Sequence, residues 1–108
     1  MVSPYNHHRR YPRRPVARPV LVKVMGDRPS EEYAQTRVIG LGGCCFLTDK
    51  SLGSATQLDL LISLDEGVIQ ADGRVVYEIP RSDSRREVGV EFLRLAPADR
   101  RRLEGLFV

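Results

Sequence analysis

The sequence predicts a small all-β protein, an antiparallel six-stranded β-barrel closed by one C-terminal α-helix. Apolar residues alternate with polar ones in short runs, which is the period of half-buried strands. Gly, Pro, Asp and Ser clusters separate those runs at the spacing of turns. The last dozen residues alone change to helical spacing.

The elements follow in order along the 108 residues. Residues 1–17, MVSPYNHHRRYPRRPVA, have no apolar periodicity, and Pro12 and Pro15 forbid regular helix. They read as a flexible basic arm, with the barrel expected over 18–108. Val20, Val22 and Val24 alternate with Leu21 and Lys23 as a first strand. Gly26 to Glu32 is turn material, and Tyr33 to Ile39 reads as a second strand. Leu41-Gly42-Gly43 interrupts, and Cys44 to Thr48 resumes as a third.

Leu58, Leu60, Ile62 and Leu64 mark a half-buried strand, and Asp65-Glu66-Gly67 a hairpin turn. Ile69, Ala71, Gly73, Val75, Tyr77 and Ile79 then share one side of a long strand, with a bend expected at Gly73. Val88, Val90 and Phe92 supply the final strand. Pro97 suits a first helical turn, and Asp99 suits its positive dipole end. Leu103, Leu106 and Phe107 form an apolar stripe suited to covering the barrel. Ala96 is a poor cap and Gly105 a poor helix former, so the helix is expected to be short and held by docking.

Charge divides the chain. Residues 1–26 carry Arg9, Arg10, Arg13, Arg14, Arg18 and Lys23 and no acid, a charge of +6. Residues 27–108 carry eleven basic and fourteen acidic side chains, a charge of −3. A basic block of this kind suits an anionic partner. No apolar run is long enough for a membrane span, and no secretory h-region follows the basic residues. Cys44 and Cys45 are adjacent, so strand alternation expects one buried and the other less so. Two cysteines make neither a disulfide framework nor a metal site, which suits a reducing, cytoplasmic compartment.

The usual signs of catalysis are missing from the sequence. His7 and His8 have no neighbouring Cys, Asp or Glu to complete a metal site. Gly40 to Gly43 lacks the Lys-Ser or Lys-Thr and the following helix of a phosphate-binding loop. An enzyme is not expected, nor a metal or cofactor.

Two segments carry a resemblance. Arg9-Arg10-Tyr11-Pro12-Arg13-Arg14-Pro15-Val16 precedes the first strand, and Val38-Ile39-Gly40-Leu41-Gly42-Gly43 precedes a hydrophobic one. This layout resembles the PilZ domain, a bacterial receptor module for cyclic di-GMP. That family's signature is R-x-x-x-R in an N-terminal arm, then D/N-x-S-x-x-G at the start of a strand. Gly73 to Tyr77, Val88 to Leu93 and Ala96 to Arg100 are similar to its middle strand, last strand and closing helix.

Arg9 and Arg13 match the first motif, with Arg10 between them. Guanidinium can grip phosphate or the guanine O6/N7 edge and can stack on a base. In the second motif Val38 stands at the Asp/Asn position, Gly40 at the Ser position, and Gly43 alone matches. Each lost polar contact costs about 1–3 kcal/mol if its partner stays buried and unpaired, together roughly two orders of magnitude in affinity. The resemblance implies ligand-binding residues Arg9, Arg10, Arg13, Arg14, Val38, Gly40, Gly42 and Gly43. It implies cyclic di-GMP as ligand and a protein effector as partner, and leaves a homo-oligomer open. The alternative is a protein–protein adaptor of motility, pilus or signalling systems that has lost the nucleotide. DNA or RNA binding by the arm is disfavoured by the few exposed aromatics.

Overall fold

The computed structural model describes residues 13–107. The element order is β1 (Arg13–Pro15), β2 (Pro19–Val24), β3 (Ser30–Gly40), β4 (Gly43–Thr48), β5 (Gln57–Leu64), β6 (Gly67–Pro80), β7 (Arg86–Leu95), α1 (Pro97–Glu104) and a 3-10 turn (Gly105–Phe107). All strand pairs are antiparallel, in the order β1-β3-β2-β5-β6-β7-β4. A further β3–β4 pairing closes six of the strands into the expected barrel. β1 lies outside that ring.

The inward positions are those the alternation assigns. Val20 and Val22 of β2, Leu58, Leu60 and Ile62 of β5, Ile69 and Val75 of β6, and Val88 and Val90 of β7 are buried around Phe46 and Ile39. Burying a branched or aromatic side chain of this size stabilises by about 1.5–3 kcal/mol. Leu103 of α1 is fully buried in the same core, and Leu106 packs against it. Docking rather than capping therefore holds this helix. Ala96 makes no side-chain cap bond, while Asp99 accepts the Gln70 backbone N–H at 3.2 Å and pairs with Arg102 at 3.0 Å.

Three bulges redirect the long strands, and on β3 Arg37 is the extra residue between the Thr36↔Phe46 and Val38↔Cys45 pairs. On β7, Leu93 is the extra residue between the Asp72↔Arg94 and Gly73↔Phe92 pairs. On β6, Val76 is the extra residue between Val75↔Val90 and Tyr77↔Gly89. An extra residue reverses the facing of everything beyond it. The expectation that Tyr77 and Ile79 share the inner face of Ile69 is thereby corrected. Both point outward, and Ile79 is 46% exposed. The side chain that turns inward is Glu78. Its carboxylate accepts the Leu52 and Gly53 backbone N–H groups at 2.6 and 3.3 Å and the Ser51 hydroxyl at 3.1 Å, tying down the loop after β4.

β3 begins at Ser30, three residues earlier than the apolar pattern indicates, because Ser30 to Glu32 pair with Val24 to Val22. Glu31 starts a row of charges across the outer sheet: Glu31, Lys23, Asp59, Asp72 and Arg94 are successive cross-strand neighbours. The adjacent aspartates would repel, but the Gln70 amide donates to both, at 2.7 and 2.9 Å.

β3 carries β1 and β2 end to end along one edge and β4 along the other. The change from β1 to β2 is held by Thr36, a buried polar residue. Its hydroxyl donates to the Val16 carbonyl at 2.7 Å and accepts the Arg18 N–H at 2.9 Å, and its own N–H donates to the Arg18 carbonyl at 2.9 Å. Thr36→Val keeps the shape and removes both hydroxyl bonds. Chemical denaturation is expected to show a loss of about 1–3 kcal/mol, with residues 13–16 becoming faster in amide exchange than β2.

Candidate functional site

The outer face of β3, β4, β7 and β6 can be read as cross-strand rows. One row runs Pro15, Val38, Cys45, Gly89, Tyr77. The next begins with Arg13 opposite Gly40, crosses the Leu41-Gly42 turn, and continues Gly43, Glu91, Arg74. β1 thus lays the arm's Arg13 beside the Gly40–Gly43 hairpin.

The candidate residues divide accordingly. Arg9 and Arg10 lie outside the described residues, as do His7 and His8. Arg13, Val38, Gly40 and Gly43 come together on the outer face. Gly42 turns the chain, and its carbonyl accepts the Phe92 N–H at 2.8 Å. Arg14 sits opposite Ile39 and donates to the Leu106 carbonyl at 2.6 Å, so it joins the arm to the C-terminal turn. At Gly43 a side chain is excluded, because a Cβ would press into the Val90 carbonyl oxygen. The motif's final glycine thus has a steric cause here.

Sequence reading missed the polar cluster beside Val38. Tyr77 reaches it because the Val76 bulge turns it outward, and its ring lies over Gly89, where a Cβ would overlap it. The Tyr77 hydroxyl donates to Glu87 at 3.3 Å and is hydrogen-bonded to the Cys45 thiol. Cys45 is buried like Cys44, and both thiols are free. The expectation that one cysteine would be the less buried is corrected: Cys44 faces the core, and Cys45 lies in the row crossed by the tyrosine.

Burial pushes the Cys44 thiol up from 9.0 to about 12, and Cys45 adds to the rise. Burial also raises Cys45, with Glu87 adding and Arg13 opposing. Tyr77 is pushed up from 10.0 to about 12, first by burial, then by Cys45 and Glu87, with Arg13 again opposing. Arg13 is thus near enough to act electrostatically on all three groups. Among the described residues no three His, Cys, Asp or Glu side chains are grouped to hold a metal, and no helix is long and apolar enough to cross a membrane.

The architecture is a closed barrel with a basic strand laid against a glycine hairpin and a tyrosine–cysteine–glutamate cluster beside it. The chain belongs to the PilZ domain family, whose model matches residues 7–108. No curated protein sequence matches it. Among the solved structures that share the fold are three with about half their length in common with this chain. The Bacillus subtilis inhibitor of motility MotI/DgrA matches with a TM-score of 0.79 and 20% identity over 98% of this chain and 54% of that one. YcgR of Escherichia coli in complex with c-di-GMP matches with 0.72 and 19% over 93% and 44%. The K. pneumonia MrkH–c-di-GMP complex matches with 0.73 and 20% over 93% and 51%. This chain therefore spans about half of each of those proteins.

The raised thiol and phenol make alkaline stability a test. The folded state holds these protons to about 12, whereas the unfolded Cys44 and Tyr77 titrate near 9.0 and 10.0. Their contribution is whole below 9 and is lost as pH rises towards 12. The urea midpoint is expected to fall across that window, and to fall less steeply in Cys44→Ala. Gly89→Ala is expected to cost about 1–3 kcal/mol by overpacking Tyr77. Tyr77→Ala in the same chain should relieve part of that cost, which a double-mutant cycle measures.

Proposed function

We propose that the protein is a non-catalytic, cytoplasmic receptor for cyclic di-GMP. It captures the ligand through Arg9, Arg10 and Arg13 and presents the changed surface to a protein effector or a second copy. The observation that supports this reading is the register that sets Arg13 opposite Gly40, so that one arginine of the first motif lies beside the segment of the second. The ligand carries two phosphates and two guanines, and arginine binds both kinds of group in bidentate fashion. YcgR and MrkH, which share the fold, have been solved with this nucleotide.

Val38 and Gly40 favour a second reading, a protein–protein adaptor without nucleotide, because neither offers a polar side chain. Motility is the system named for MotI.

Calorimetric titration of the full chain with cyclic di-GMP separates the two. Heat of binding is expected, with Arg9→Ala and Arg13→Ala each weakening affinity by at least tenfold, the scale of one lost charge-assisted contact. Val38→Asp with Gly40→Ser is expected to tighten it. Absence of heat at high micromolar ligand would leave the adaptor. Unchanged affinity in both arginine variants would place the site elsewhere.

A further inference from the structure

We infer that the Arg74–Glu91 ion pair is a guanine-reading subsite, supplying the base recognition that Val38 and Gly40 lack. This inference rests on the receptor reading above.

Position is the first support. Glu91 is the cross-strand neighbour of Gly43, and Arg74 is the neighbour of Glu91. They therefore stand in the row that starts at Arg13 and Gly40. At the usual ~4.8 Å strand spacing, the Glu91 position lies about 14 Å along the sheet from that of Arg13. Gly40 and Gly43 put no side chain between them. The row therefore carries a cation at one end, two glycines in the middle and an ion pair at the other end.

Chemistry is the second. A guanine presents two donors, N1–H and the 2-amino group, beside two acceptors, O6 and N7. A carboxylate next to a guanidinium is the complement of those adjacent edges. Adenine, with its amino group and N1 acceptor, does not match both. The Val38 position offers no acceptor, and Glu87 is already engaged by Tyr77 and, at 3.6 Å, by Arg81.

Accessibility is the third. The Arg74 and Glu91 side chains are 47% and 40% exposed. A surface pair of this kind contributes little to stability, so opening it to a base costs little. Glu91 and Arg74 project from the interior of long strands, whose pairing fixes their spacing before the ligand arrives.

Calorimetry with cyclic di-GMP and cyclic di-IMP, which lacks the 2-amino group, tests the inference on the full chain. The unsubstituted protein is expected to prefer cyclic di-GMP by about tenfold. Glu91→Gln should lose that preference along with about tenfold in cyclic di-GMP affinity, whereas Glu91→Asp should keep the preference. If the unsubstituted protein binds both ligands equally, or Glu91→Gln keeps the preference, the subsite is overturned while the receptor reading stands. If the unsubstituted protein binds neither, the receptor reading fails and the subsite with it. The comparison of ligands on the unsubstituted protein needs no variant to fold.

Discussion

A threonine hydroxyl buried between two strands decides where the basic segment of this protein can go. Thr36 holds Val16 on one side and Arg18 on the other, at the point where β3 exchanges one neighbour for the next. Buried hydroxyls are expensive to leave unpaired, and this one both donates and accepts. That bonding pins Val16 and Arg18 against β3, and the register of β1 follows from it. Arg13 then falls opposite Gly40 and Arg14 falls opposite Ile39. With another register the same arginines would exchange faces. The Gly40–Gly43 hairpin would lose Arg13 as its neighbour, and the C-terminal turn would lose its clasp.

β1 therefore has two attachments that can respond to a ligand differently. Arg13 faces the outer row, where an anion would draw on it. Arg14 is bonded to the Leu106 carbonyl beside the helix that plugs the core. In the receptor proposed above, a displacement of β1 towards the ligand would pull on that bond. Neighbouring arginines on opposite faces of three paired residues thus connect the outer surface to the closing turn without any intervening domain.

Much of the barrel was legible because its strands obey simple alternation. Val20 and Val22, Leu58, Leu60 and Ile62, and Val88, Val90 and Phe92 read inward from sequence and lie in or against the core. What alternation could not disclose were the bulges. A run such as Val75-Val76-Tyr77 looks uninterrupted, because the extra residue is defined by the partner strand, which has only Val90 and Gly89 to oppose it. The polar cluster around Tyr77 was invisible for the same reason. Gly89 was the one available signal, since a glycine within an apolar strand marks close approach by another group. Nothing in the sequence singles out Glu91 and Arg74, because their relation to Gly43 exists only across strands. The burial of Cys45 was likewise a matter of neighbours rather than of its own position.

The departures from the second motif acquire a consistent sense on this surface. A serine at Gly40 or an aspartate at Val38 would contribute contacts close to β1. With glycine and valine there, the receptor proposed above would draw its polar contacts from the two ends of the row. Arg13 would contribute charge that any phosphate satisfies, and so affinity with little selectivity. Glu91 would contribute direction, because a carboxylate discriminates donors from acceptors. Loss of the contacts near β1 would lower the total but leave that division between charge and base reading. Whether such a surface favours nucleotide over protein would then depend on the far end of the row. A protein partner needs only shape and opposite charge there, while a guanine needs an acceptor and a donor side by side. The register from Gly43 through Glu91 to Arg74 puts them side by side.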